Sequence, residues 1–98
     1  MEESSGTGYT LIFADVALND LLFHKKVGNQ ATIKRIDRIL QELEITPFIG
    51  IGRPHELGYD FAGRWSRHLN KKDMIVYEVD EKGKTVKIYS ARYHYLDK

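Results

Sequence analysis

No cysteine occurs in the chain, which excludes disulfides and cysteine-based metal sites. This fits a cytoplasmic protein, and that compartment is the expectation. No apolar run approaches the roughly 20 residues of a membrane-spanning helix. The first residues, Met1-Glu2-Glu3-Ser4-Ser5, are acidic and polar and do not read as a signal peptide. Internal repeats and low-complexity tracts are absent as well. The net charge is only +1, which by itself argues against strong non-specific nucleic-acid binding. None of the four histidines is paired with Asp or Glu at metal-ligand spacing, so neither a metal nor another cofactor is expected.

What remains is one domain of 98 residues, 42% hydrophobic, with enough apolar content for a modest core. Residues 1–8 are small and polar and are expected to be disordered; residues 9–98 form the domain. The small net charge hides an asymmetry. Residues 1–48 carry five basic and seven acidic side chains, whereas residues 49–98 carry ten basic and seven acidic. Three of the four histidines also fall in the second half. Clustered Arg, His and aromatic residues there favour an anion-binding face.

Tyr9 to Phe13 is rich in β-forming residues and reads as a strand. Asp15 is placed to cap a helix running to about Val27, with Leu18, Leu21 and Leu22 on its buried stripe. Gly28 stops that helix and Asn29 caps the next, where Ile33, Ile36, Ile39, Leu40 and Leu43 recur at helical spacing before Pro47. Gly50 to Gly58 reads as a loop, too short and wrongly spaced for a P-loop. Period two then predicts strands over 64–69, 74–79 and 85–95, joined by turns at 70–73 and 80–84. The order β-α-α-β-β-β predicts an α+β fold: a helical hairpin on one face of an antiparallel-dominated sheet, the other face free for function.

Cleavage of RNA without metal needs a base for the 2′-hydroxyl, a cation for the charge developing on phosphorus, and an acid for the leaving 5′-oxygen. The sequence offers His55 and His94 for proton transfer and Glu56 as a carboxylate base. Arg53, Arg64, Arg67 and Arg92 are the candidate cations. Trp65 is expected to pack, with base stacking as the alternative. Alternation along the last strand places Ile88, Ser90, Arg92 and His94 on one face and Tyr89, Ala91, Tyr93 and Tyr95 on the other.

Three segments together resemble a known family. Thr46-Pro47-Phe48 with Gly50, Gly52, Pro54 and Leu57 leads into Gly63-x-Trp65-Ser66-Arg67, then Val76-Tyr77, and finally Arg92-Tyr93-His94-Tyr95. They are similar to the YoeB/Txe branch of the RelE-type toxins, from about Leu11 to Tyr95. The resemblance implies a RelE-like fold akin to microbial ribonucleases and ribosome-dependent cleavage of mRNA to a 2′,3′-cyclic phosphate. It also implies neutralisation by a cognate antitoxin, with homodimers common, and active-site roles for His94 and Tyr95. Four positions depart from the family pattern. His55 stands where the family has a catalytic Glu, with Glu56 one residue later. Gly58 replaces a basic residue, His68 replaces an Arg that would contact phosphate, and Met74 replaces the phosphate-stabilising Arg. These departures set an active endoribonuclease with rearranged groups against an attenuated toxin fold that binds antitoxin or ribosome without efficient cleavage. A small interaction domain unrelated to RNA is a third reading.

Overall fold

In the computed structural model, which describes residues 8–58, 61 and 63–92, helical periodicity and β alternation resolve into two layers. The elements are β1 (Thr10–Phe13), α1 (Asp15–Val27), α2 (Gln30–Leu43), β2 (His55–Glu56), β3 (Arg64–His68), β4 (Met74–Asp80) and β5 (Thr85–Ser90). The two helices cover one face of a five-stranded sheet of order β1-β5-β4-β3-β2. The β1–β5 pair is parallel and the other three are antiparallel, as an antiparallel-dominated sheet requires.

The helix boundaries follow local chemistry. Gly28 takes the left-handed conformation (φ 77°) that ends α1, and its N–H returns to the His24 carbonyl. The Asn29 side chain accepts a hydrogen bond from the Thr32 N–H at 3.1 Å, capping α2. Asp15 differs from the expectation. It is the first helical residue, with Ala14 in the cap position and no side-chain cap bond. Its charge still complements the positive end of the helix.

The core lies between the sheet and the helices. Ile36, Ile39 and Leu43 of α2 meet Ile75, Tyr77, Val86 and Ile88 of the central strands. The buried stripe of α1 is not the one expected. Leu18 and Leu22 are about half exposed, and Ala17, Asp20 and His24 are buried instead, with Leu21 packed beside them. Two polar residues occupy that stripe because the end of β5 needs hydrogen-bond partners there. The long terminal strand is shorter than expected, ending at Ser90 with Ala91 and Arg92 in a bend. Residues 93–98, including the expected His94 and Tyr95, lie outside the described residues, as does segment 1–8 apart from Gly8. Among the described residues, no helix is long and apolar enough to cross a membrane.

Candidate functional site

Strand register decides which side chains meet. His55 pairs with Ser66, Ser66 with Val76, and His68 with Met74. Directly opposed residues in antiparallel strands project to the same face. His55, Ser66, His68, Met74 and Val76 therefore share the face turned away from the helices; Ser66 and Val76 are buried in it, whereas its rim, the open face, has His55 exposed and His68 and Met74 partly exposed. Glu56 pairs with Trp65, and Trp65 with Tyr77, a core residue. The sequence left His55 and Glu56 as alternatives, and register puts only His55 among the open-face groups. Sequence reasoning missed the strand that does this, β2, because two residues cannot show an alternating pattern.

The same face continues into a cluster around Tyr89. Arg64 is registered against Glu78, and its guanidinium carbon sits 3.8 Å from the Tyr89 ring centroid. The Tyr89 hydroxyl donates to Glu78 Oε1 at 2.8 Å. Burial, reinforced by that carboxylate, pushes the Tyr89 phenol above its ordinary range.

Trp65 packs as expected, and two expected site residues, Arg92 and Arg67, are placed elsewhere. Trp65 is on the helix-facing side, 5.0 Å from Phe48 between ring centroids, where it packs and does not share the open face. Arg92 turns toward α1, with its guanidinium carbon 3.6 Å from the Phe23 ring centroid. The largest correction concerns Arg67, which is 0% exposed. Its Nε donates to the Tyr77 hydroxyl at 3.2 Å. Nη1 donates to Glu42 Oε1 at 2.6 Å and to the Ile51 carbonyl at 3.4 Å. Nη2 donates to the carbonyls of Thr46 and Ile49 at 3.0 and 2.9 Å. These bonds occupy the donor capacity of one guanidinium, so none is left for a substrate phosphate.

Arg67 is instead the centre of a clamp that shapes the loop ahead of His55. Glu42 Oε1 also accepts the Ile51 N–H at 3.0 Å, and the Tyr77 hydroxyl donates to the Pro47 carbonyl at 2.7 Å. Burial alone would raise the Glu42 carboxyl. Hydrogen bonds from Ile51, Arg67 and Arg38 outweigh it and hold the group below its ordinary value. The clamp also explains Gly50. At φ 141° its backbone suits glycine, and a Cβ there would collide with Glu42 Oε1 and lie 2.7 Å from Arg67 Nη1.

A second polar device holds the end of β5. Asp20 Oδ2 accepts the Ala91 N–H at 2.8 Å, and His24 Nε2 donates to the Ala91 carbonyl at 2.6 Å. Both side chains are almost fully buried. The clasp therefore sits one residue before Arg92-Tyr93-His94-Tyr95. A sequence signal was present: Asp20 and His24 are four apart, as neighbours on one helix face are. Asp20→Ala leaves a buried N–H without this acceptor and is expected to lower stability by about 1–3 kcal/mol. Asp20→Asn, which keeps an acceptor oxygen, should lose less. Urea denaturation of both variants checks this, and an Asp20→Ala midpoint equal to wild type would show that the clasp contributes nothing.

Among the described residues no group of three or more His, Asp or Glu could hold a metal ion. Comparison with known proteins gives one consistent answer. Residues 13–95 match the family described as YoeB-like toxin of bacterial type II toxin-antitoxin system. A toxin YoeB of Escherichia coli is 31% identical over 85 residues, covering 87% of this chain and 98% of that protein. A toxin YoeB of Mycobacterium bovis is 35% identical over 79 residues, covering 81% of this chain and 89% of that one. Among solved structures, a YoeB/ParE toxin from Agrobacterium tumefaciens superposes with a TM-score of 0.79 at 28% identity, covering 88% of this chain and 99% of that one. The toxin in a YoeB–YefM complex from Staphylococcus aureus gives a TM-score of 0.75 at 30% identity, covering 89% and 98%. On the match across residues 13–95, the chain belongs to the YoeB-like toxins of bacterial type II toxin–antitoxin systems.

Proposed function

We propose that this toxin cleaves mRNA on the ribosome, by attack of the 2′-hydroxyl on the adjacent phosphate, giving a 2′,3′-cyclic phosphate and a 5′-hydroxyl. The observation that carries the reading is the sheet face shared by His55, His68 and Met74, where His55 is exposed and the other two are partly exposed. His55 takes the proton of the 2′-hydroxyl, and His68 and Arg53 contact phosphate. His94 protonates the leaving oxygen and Tyr95 orients it, both roles resting on the family resemblance.

A second reading is favoured by one residue. Met74 stands beside His68 where a cation would neutralise the developing charge. The domain then retains its partners while cleaving poorly. Those partners are proposed from relatives: a YoeB of Staphylococcus aureus forms a complex with YefM, and another structure of that toxin is a dimer. An antitoxin of that kind and a second copy of this chain are the expected protein partners.

Cleavage of a defined mRNA on purified ribosomes, mapped by primer extension, tests both readings. His55→Ala and His94→Ala should each lower the rate by about 10²–10⁴, whereas Glu56→Ala should leave it unchanged. A loss confined to Glu56→Ala would overturn the assignment of His55. Ribosome binding by wild type without any cut would establish the second reading.

A further inference from the structure

Beside the open face runs a groove of about 690 Å³ between the start of α2, the Gly52–Arg53 loop and the β3–β4 turn. Its wall carries Arg35, Arg53, His68 and Lys71, and none of its described lining residues is acidic. Arg35, Arg53 and Lys71 are exposed, and none forms an ion pair among the described residues. The positive end of α2 adds to the same field.

The groove is held in shape by local chemistry. Arg53 adopts a left-handed backbone (φ 55°), which is uncommon for a residue other than glycine. The preceding Gly52 (φ 84°) accepts the His68 N–H on its carbonyl at 2.7 Å, fixing the loop to β3. A Cβ on Gly52 would lie 2.9 Å from the His68 carbonyl oxygen. On the other wall, Asn70 Nδ2 donates to Thr32 Oγ1 at 3.3 Å, tying the β3–β4 turn to the first turn of α2. Asn70 Oδ1 accepts the N–H groups of Lys72 and Asp73, which sets the turn that presents Lys71. His68 borders both this groove and the open face, so the two surfaces are continuous.

We propose that this groove binds the phosphodiester backbone of single-stranded RNA leading to or from the open face, with Arg35 and Lys71 as its outer contacts. The proposal rests on the cleavage reading for the identity of the ligand. Exposed cations in a lining without acidic residues suit a repeating phosphate. A peptide partner needs apolar anchors as well. The groove offers Leu69, which is 2% exposed, while the exposed apolar side chains Leu18, Leu22, Ile45 and Ile49 lie outside it.

The test is fluorescence anisotropy of a labelled single-stranded RNA oligonucleotide titrated with wild type, Arg35→Glu and Lys71→Glu across a range of salt. Both residues are exposed, so the reversals should leave the fold intact, checked by circular dichroism. Each reversal is expected to weaken binding about three- to tenfold and to reduce the salt slope by about 0.7 for each phosphate no longer neutralised. Unchanged affinity and slope in both variants would overturn the proposal, as would absence of RNA binding by wild type. Parallel titration with an acidic peptide separates the alternative ligand: if the reversals weaken only that complex, the groove is a peptide site. Ribosome cleavage that depends on His55 but not on Arg35 or Lys71, with unchanged RNA affinity, leaves the proposed function standing and removes the groove.

Discussion

Arg67→Ala is expected to destabilise the domain by about 3–5 kcal/mol, the range for removing one partner of a buried ion pair. The deletion leaves Glu42 without its closest cation and strips donors from the carbonyls of Thr46, Ile49 and Ile51. Arg67→Lys should recover only part of the loss, because one ammonium cannot reach five acceptors spread around a planar fork. Denaturant unfolding of both variants gives the number, and a shift under about 1 kcal/mol for Arg67→Ala would show that the clamp is dispensable. The pair also predicts a pH response. A carboxyl held below its ordinary value of 4.5 contributes stability that is fully present above that value. The contribution is lost as pH falls through the lowered folded value. Glu42→Gln should therefore flatten the acid limb of the stability profile while leaving its shape above about pH 5. An unaltered acid limb would assign it to other carboxylates.

Met74→Arg is expected to raise ribosome-dependent cleavage by about 10²–10³, the effect of one well-placed transition-state donor. Met74 pairs with His68 on the open face and is partly exposed, so a longer cationic side chain can reach outward from that position. Single-turnover cleavage on purified ribosomes measures the gain. An unchanged rate in a folded variant would show that the charge is supplied elsewhere and would overturn the reading of Met74 as an attenuating residue. His55→Glu should be measured alone and in combination with Met74→Arg, because catalytic groups that act as a unit do not add.

Much of the fold was legible where signals are local. Gly28 and Asn29 end one helix and start the next through bonds within four residues. The apolar spacing of α2 gave its buried stripe because that stripe has little polar interruption. The α1 stripe was misread because Asp20 and His24 are buried by partners 71 and 67 residues away. Arg67 failed for the same reason. Alternation on β3 shows that it opposes Ser66, but only the distant Glu42 and the loop carbonyls make its burial tolerable. The choice between His55 and Glu56 needed the register of a two-residue strand, which no sequence pattern encodes. Arg35 belongs to a helix whose apolar periodicity marks only the buried face, and its place in the groove is set by how α2 meets the β3–β4 turn.

The position of β5 bears on when the molecule can form. It lies between β1 and β4 and contributes Val86 and Ile88 to the core, yet it is the last strand in sequence among the described residues. Its parallel partner β1 is the first, and the paired Thr10 and Thr85 are 75 residues apart. Closing a chain segment of that length carries a length-dependent entropy of roughly 4 kcal/mol, recovered only once the central strand is in place. Such non-local pairing slows folding. A nascent chain can build the helical hairpin and the β3–β4 ribbon early, but it holds Leu11 and Phe13 without their cross-strand neighbours until β5 emerges. The domain is therefore completed only once β5 has emerged, so a chain interrupted before β5 lacks both its core strand and the support for its open face.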